Sequence, residues 1–339
     1  MSVISVNPIN DTELRPLWSV VIPTYNCAKF LKKTLQSVLA QDMGNEKMEI
    51  WVVDDGSMDN PEQVIIDLKT DRIGFYKQPQ NVGQLNNFST CLNLAKGKII
   101  HLLHGDDFVH DGFYESLEHS LMSDDTVGAA FTGYNVVDEA NKLIVRSELL
   151  ADKAGVIENF LSVITSKQVI QTPSIVVKRE VYEKLGAFNK ELTWVEDWEM
   201  WIRISCHYNF YYEPKILASY RVHNNSNTED SVKTGRFITD VLKCIRVYSS
   251  YLKNTPEEKK NIINAAKLHY INFAIQQSRA RLSTLILLKA FKLCFNLSSS
   301  LKILKQIPKV LIRSSKNNLK IFLGGVRKDF ISWVKVESR

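Results

Sequence analysis

The chain has 339 residues, 45% of them hydrophobic and 24% charged, with a formal net charge of +6. That balance excludes a disordered or fibrous chain and leaves room for one large α/β domain with an appendage, or for two modest domains. The five cysteines, at 27, 91, 206, 244 and 294, include no CxxC pair, which argues for reduced, mostly buried thiols and against a zinc site.

The first residues contain no basic segment followed by an apolar core, so no secretory leader is expected. The apolar run Trp18–Pro23 reads as a first strand, with Asn26 as the expected N-cap of a helix carrying Leu31, Leu35, Val38 and Leu39. Glu49–Asp54 reads as a second strand ending in the turn run DDGSMDNP, and Ile73–Gln78 as a third. A helix after Gly83 would carry Leu85, Phe88, Leu92 and Ala95 along one face. Ile99–Leu103 is a fourth strand, again ending in acids, and Val127–Tyr134 a fifth. This alternation predicts an α/β fold with a mostly parallel central sheet and helices on both faces. Further on, a strand is expected at Ser174–Val177, helices at Arg179–Leu185 and Glu196–Cys206, and two strands at Phe210–Glu213 and Ile216–Tyr220. From about Gly235 the pattern is helical. Thr255-Pro256-Glu257-Glu258 has the form of a capping box with proline at the first helical position.

In an open parallel sheet, ligands bind beyond the carboxyl ends of the strands. Three polar clusters fall there: Pro23-Thr24-Tyr25-Asn26, Asp54-Asp55-Gly56-Ser57 and Gly105-Asp106-Asp107. Any one could be turn chemistry alone; three at successive strand ends point to a shared site. Paired acids suit a hard cation such as Mg2+ or Mn2+, which prefers carboxylate oxygens and keeps positions open for phosphate, so Asp107, helped by Asp106, is the candidate metal holder. No Gly-x-x-x-x-Gly-Lys or Gly-x-Gly-x-x-Gly run is present, which removes support for a P-loop or a dinucleotide fingerprint.

The segments VVIPTYN (20–26), VVDDGSMD (52–59), NVG (81–83), LLHGDD (102–107), GAFNKEL (186–192), EDWEMWIR (196–203) and YRVH (220–223) together resemble the family 2 glycosyltransferases over roughly residues 18–225. The resemblance implies an inverting enzyme of GT-A fold that uses nucleotide-sugars with magnesium or manganese. It places Pro23, Thr24, Tyr25 and Asn26 at the start of a nucleotide pocket, with Tyr25 beside the base. It puts Asp55, with Asp54, at the base edge, and Asn81 and Gly83 near the sugar and ribose. Asp106 and Asp107 fall on the metal and diphosphate motif, with His104 at the position where many members carry an acid, contacting the ribose or supporting the ligands. His223 matches a histidine that can reach back to the metal. Asp197 matches the general base, since an acceptor hydroxyl must lose its proton as it attacks the anomeric carbon; Glu196 is the alternative base or an orienting partner. An acidic helix N-terminus would also suit the helix dipole without any catalytic role. Trp198 and Trp201 are expected in the core, Trp194 at an acceptor cleft, and Arg203 and Arg221 as braces for the acids.

The charge is unevenly spread. Residues 240–339 hold 20 Lys and Arg against 5 Asp and Glu, a balance of +15, leaving 23 against 32, or −9, for residues 1–239. We therefore divide the chain at 239/240 into a catalytic domain and a basic helical region. The run Leu282–Leu297 has 16 residues and two lysines, short of the roughly 20 apolar residues a spanning helix needs. The later segments mix Leu, Ile, Phe and Trp with Lys and Arg, as helices lying in a membrane interface do. The alternative is an appendage packed on the catalytic domain.

The expected activity is transfer of a sugar from a nucleotide-sugar, a UDP-sugar foremost, to a hydroxyl of a glycan or lipid-linked acceptor in surface polysaccharide synthesis (O-antigen, capsule or exopolysaccharide). The expected location is the cytoplasm, at the inner face of the membrane. A nucleotidyltransferase would carry a Gly-rich basic loop after the first strand, where PTYNCAKF stands. A non-catalytic sugar-nucleotide binder would be expected to lack one of Asp55, Asp106, Asp107 or Asp197. Nucleic acid is not an expected partner, since no recognised motif accompanies the basic tail.

Overall fold

A computed structural model of the chain describes residues 2–9, 14–281, 283–290 and 293. They divide into two compact units. One comprises the chain up to Ile164, Gln168–Glu191 and Glu196–His223; the other comprises Thr165–Lys167, Leu192–Val195 and the chain from Asn224 onward.

The first unit opens with β1 (Trp18–Thr24), α1 (Ala28–Leu39), β2 (Met48–Asp54), α2 (Pro61–Asp67), β3 (Ile73–Lys77), α3 (Gln84–Leu94) and β4 (Ile99–Leu102). After them come β5 (Phe108–Val109), α4 (Phe113–Ser123), β6 (Val127–Val137), β7 (Leu143–Arg146), β8 (Gly155–Val156) and α5 (Phe160–Ser166), whose end runs into the second unit. The unit is completed by β9 (Ile175–Lys178), α6 (Arg179–Leu185), α7 (Glu196–Ser205) and β10 (Asn209–Arg221).

One sheet runs in the order β3-β2-β1-β4-β9-β6-β10-β5, with β7 on β6 and β8 on β10. The β3-β2-β1-β4 block is parallel, as is β6–β10, while β9 is antiparallel to both its neighbours. Every residue of β1 is buried, as befits a central strand covered on both faces, which reads as a continuous apolar run. Leu31, Leu35 and Val38 of α1 and Phe88 and Leu92 of α3 are buried, on the faces their spacing assigns to them.

Two local expectations change. The strands expected at Phe210–Glu213 and Ile216–Tyr220 are one strand, β10, with register shifts between Glu213 and Ala218. Pro214 has no N–H to donate to a ladder, and the irregularity accommodates it without ending the strand. Asn26 does not cap α1. Its φ is +48°, the cap position falls on Cys27, and the first turn is satisfied from outside by Asp59 Oδ2, which accepts from the Ala28 N–H at 2.8 Å.

The second unit is helical: α8 (Asn227–Thr234), α9 (Arg236–Tyr251), α10 (Pro256–Arg281) and α11 (Thr284–Ala290). The expected division at 239/240 falls inside α9. Thr255 and Glu258 form the expected capping box, Thr255 Oγ1 accepting from the Glu258 N–H at 3.3 Å and Glu258 Oε2 from the Thr255 N–H at 2.8 Å. Trp194, expected at an acceptor cleft, belongs to this unit: it stacks on Phe273 with centroids 6.2 Å apart and meets Phe237 edge-on. Its N–H donates to buried Asp240. Among the described residues no helix is long and apolar enough to cross a membrane. The basic segments expected to lie in a membrane interface, residues 301–335, fall outside the described residues, as do residues 282, 291, 292 and 294–297 of the shorter apolar run.

Candidate active site

β1, β2 and β4 run parallel and side by side, so their carboxyl ends emerge at one edge of the sheet. Thr24 lies level with Asp54 in the register, and the chain after β4 stays attached, the Gly105 N–H donating to Pro23 O at 3.1 Å. Gly105 could carry no side chain there: a Cβ would lie 2.9 Å from Thr24 Oγ1, 3.0 Å from Cys27 Sγ and 3.3 Å from Pro23 O. Thr34, buried on α1, donates to the carbonyls of Gly105 and Asp107 (3.0 and 2.6 Å), clamping the loop from below.

The β2 loop is held by its own acids. Asp54, fully buried, accepts from the Ser57 N–H and fixes the turn. Asp55 Oδ1 accepts from the Val82 N–H at 2.7 Å; Oδ2 accepts from the Gly83 N–H at 3.1 Å and from Asn81 Nδ2 at 3.2 Å. Gly83 has φ +87°, a backbone conformation that a side chain would strain. Burial raises the Asp55 carboxyl against those donors, and the charge of Asp54 adds to the rise. Asn26 joins the β1 and β2 loops: its N–H donates to Ser57 Oγ and its Oδ1 accepts from the Met58 N–H, both at 2.9 Å. Tyr25 is half exposed.

His104, Asp106 and Asp107 each present a ligand atom, and these atoms lie within 4.8 Å of one another. Asp107 is 1% exposed. Its Oδ1 accepts from the Arg221 N–H at 2.8 Å, while its Oδ2 and His104 Nε2 are buried with no hydrogen-bond partner. Such orphaned polar atoms cost free energy unless a polar group joins them. Carboxylate oxygens beside an imidazole nitrogen are a donor set that fits Mg2+ or Mn2+. Burial and the neighbouring Asp106 charge push Asp107 well above the usual carboxylate range. Burial works in the same direction on Asp106, yet the hydrogen bond from His223 Nε2 at 2.9 Å and the nearby imidazoles outweigh it and hold that carboxyl low. One acid of the pair thus stays ionised while the other favours its proton. Burial lowers His104, which stacks on Phe88 of α3 with centroids 5.3 Å apart.

Arg221 is buried and braces this loop, as expected. Its Nε donates to Asp106 O at 2.7 Å, and its guanidinium lies over the rings of Phe30 (4.6 Å) and Phe108 (5.5 Å). Arg203 is turned instead to Glu199 and to the carbonyls of residues 185–187. Trp198 and Trp201 are in the core.

Of the two acids that open α7, Glu196 meets the same loops, and Asp197 is held by residues 168 and 172. Glu196 Oε1 accepts from Gln84 Nε2 at 2.8 Å, and Gln84 directly follows Gly83, whose N–H is held by Asp55. Asp197 Oδ1 accepts from the Trp198 N–H at 2.7 Å, and its Oδ2 from Gln168 Nε2 at 2.5 Å and Thr172 Oγ1 at 3.4 Å. Burial dominates over these donors and raises the Asp197 carboxyl to about 6, near the value at which a carboxylate exchanges protons best under neutral conditions. Contacts therefore link Asp55, Asn81 and Gly83, through Gln84, to Glu196, next to which Asp197 stands in the chain, and link Asp106 to His223. Asp59 closes the VVDDGSMD run. Gln84, Gln168 and Thr172 belong to no expected cluster, and of these three Gln84 alone carried a signal, its place next to the NVG run.

Residues 19–186 match the model of the family described as Glycosyl transferase family 2. An uncharacterized glycosyltransferase of Rickettsia typhi is 22% identical over 76% of this chain and 78% of its own length. Among solved structures, S. aureus TarS 1–349 in complex with UDP-GlcNAc superposes with TM-score 0.58 at 15% identity, covering 74% of this chain and 70% of that one. The mannosyltransferase PcManGT of Pyrobaculum calidifontis, in complex with GDP-Man and Mn2+, superposes with TM-score 0.55 at 19% identity over 98% of this chain and 86% of that one. The mixed sheet, the site at its carboxyl edge and the family match lead to one conclusion: the chain is a family 2 glycosyltransferase of GT-A fold.

Proposed function

We propose that the enzyme moves a sugar, with inversion, from a nucleoside-diphosphate sugar to a hydroxyl of a glycan or lipid-linked acceptor. The observation that carries this reading is the Asp106–Asp107 pair, Asp107 buried with one carboxylate oxygen left unpartnered, at the sheet edge that also holds Asp55. His104, Asp106 and Asp107, with His223 behind Asp106, would hold a divalent cation. Such an ion supplies positive charge against the diphosphate that leaves.

The chain's own residues do the rest. Pro23, Thr24, Tyr25 and Asn26 form one wall of the nucleotide pocket, with the exposed ring of Tyr25 offered to the base. Asp54 and Asp55 hold the opposite loops at the base edge, and Asn81 and Gly83 lie toward ribose and sugar. Asp197 takes the proton of the acceptor hydroxyl as that oxygen bonds to the anomeric carbon. The bond from that carbon to the phosphate oxygen breaks, and the nucleoside diphosphate leaves with its electron pair. Glu196 orients this acid from the neighbouring position. UDP-sugars are the favoured donor class; TarS is bound to UDP-GlcNAc and PcManGT to GDP-Man.

The excess of 15 positive charges in residues 240–339 supports a peripheral place on the cytoplasmic face of an anionic membrane. Each basic residue near such a surface contributes about 1 kcal/mol. The acceptor would then be an intermediate of surface polysaccharide synthesis.

A thermal-shift screen of UDP, GDP, dTDP and CMP with and without Mn2+ tests the donor reading: one diphosphate stabilises the protein in a metal-dependent way. Asp197→Asn keeps that shift and loses transfer. An active Asp197→Asn enzyme removes the base, and silence from every nucleotide favours a protein that does not bind donors.

A further inference from the structure

We infer that Gln168 is a positioning residue for the proton-accepting carboxylate, holding Asp197 Oδ2 through one amide hydrogen while the other is tied to the main chain. The inference rests on the assignment of Asp197 as base. Gln168 Nε2 lies 2.5 Å from Asp197 Oδ2 and 3.1 Å from Ile170 O. A primary amide has two hydrogens, so each contact takes one. The second anchor fixes the amide plane, and Gln168 loses little rotamer freedom when it donates to the acid.

The segment carrying Gln168 is itself fastened to the core. Thr172–Ser174 is a 3-10 turn leading into β9, and Ser174 Oγ donates to Gln171 O at 2.7 Å. Pro173 O lies 3.2 Å from Nε2 of His101, a fully buried side chain on β4 that burial keeps neutral, with its pKa lowered to about 3. The donor thus stands on a rigid support, as a preorganised site requires.

The consequence is an asymmetric carboxylate. Oδ2 receives both side-chain donors, Gln168 and Thr172, whereas Oδ1 receives the Trp198 N–H alone from other residues. A carboxylate offers about four lone-pair positions, so Oδ1 keeps the open one and is the atom that takes the acceptor proton. Gln168 also favours the ionised form, against the burial that raises this acid. Tyr134 from β6 feels the charge of Asp197, and its hydroxyl, held above its ordinary value by burial, supplies no competing positive charge. Glu196, the next residue on α7, is turned to Gln84.

The test is titration of the aspartate carboxyls by 13C NMR in the metal-free full-length protein, with Asp197 assigned by its absence in Asp197→Asn. In the wild type this carboxyl titrates near about 6. Gln168→Ala removes one charge-assisted donor and raises the midpoint to about 7. Gln168→Glu keeps the side-chain shape, loses the donor and adds a like charge, so its midpoint rises further. A packing role alone would make Gln168→Glu the milder change. Coincident midpoints in the wild type and Gln168→Ala, or a smaller rise in Gln168→Glu than in Gln168→Ala, overturn the inference. Transfer by Asp197→Asn would instead remove the base assignment and leave the titration result standing, so the two failures are distinct.

Discussion

Asp107→Asn should make the metal-free protein more stable while destroying its response to metal. The side chain is 1% exposed, with Oδ2 unpartnered and the ligand atoms of Asp106 and His104 within 4.8 Å. Two carboxylates at that separation repel by about 3.5 kcal/mol at an effective dielectric constant of 20. The folded protein escapes by favouring the protonated form of Asp107, which is why its carboxyl is raised. A carboxyl raised on folding gives its full share of stability below its ordinary value of 3.8 and loses it as the pH climbs toward the folded-state value. The gap between 3.8 and pH 7 bounds that loss at about 4 kcal/mol. Asparagine retains the acceptor for the Arg221 N–H but brings an amide N–H2 that must find a partner, which returns about 1–2 kcal/mol. The net gain is about 2–3 kcal/mol at pH 7.5 and turns into a loss of about 1–2 kcal/mol near pH 4, where the charge term has vanished and the amide cost remains. Thermal unfolding in chelator at pH 4.5 and 7.5, repeated at pH 7.5 with saturating Mn2+, measures it. In chelator the variant melts higher at pH 7.5, and Mn2+ raises the wild type above it. A variant less stable than the wild type in chelator at pH 7.5, or a gain independent of pH, refutes the reasoning.

Two other substitutions probe how the loops are held. Gly105→Ala drives a methyl group against Thr24 Oγ1, Cys27 Sγ and Pro23 O, which should cost about 1–3 kcal/mol and shift the Mn2+ titration midpoint upward. Adding Cys27→Ala should recover part of both, and a Gly105→Ala protein with wild-type melting would show that the loop is not packed as described. Asp55→Ala strands the donors of Val82, Gly83 and Asn81; urea unfolding should report a loss of about 2–4 kcal/mol, with Asp55→Asn losing less because one acceptor oxygen remains. A loss below about 0.5 kcal/mol, the scatter of ordinary surface substitutions, would mean that Asp55 does not hold the 81–83 loop.

Local chemistry made much of this legible in the chain itself. The runs of β1 and β4 are mostly apolar and buried throughout because both faces of a central parallel strand are covered, and the acids that follow the strands had no place in such a core. The Thr255–Glu258 box declared itself because both partners lie within one turn. Contacts across long stretches of chain left no such mark. Asp106 meets His223 across 117 residues, Arg221 meets Asp107 across 114, and Gln84 meets Glu196 across 112. Spacing along a strand or helix carries no record of these pairings. The cap of α1 follows the same rule: Asn26 had the right residue type and position, yet Asp59 from the next loop does the work.

The sequence by itself determined which segments are strands, which strand ends carry acids, and hence where a hard cation and a diphosphate are to be sought. Those features follow from local periodicity and from the cost of burying charge. Only the tertiary structure decided that Asp107 keeps an oxygen open while Asp106 is tied to His223, and that Asp197 is held on one side by Gln168. The protonation and orientation of a carboxylate depend on every donor and charge around it, and the fold brings those from distant parts of the chain.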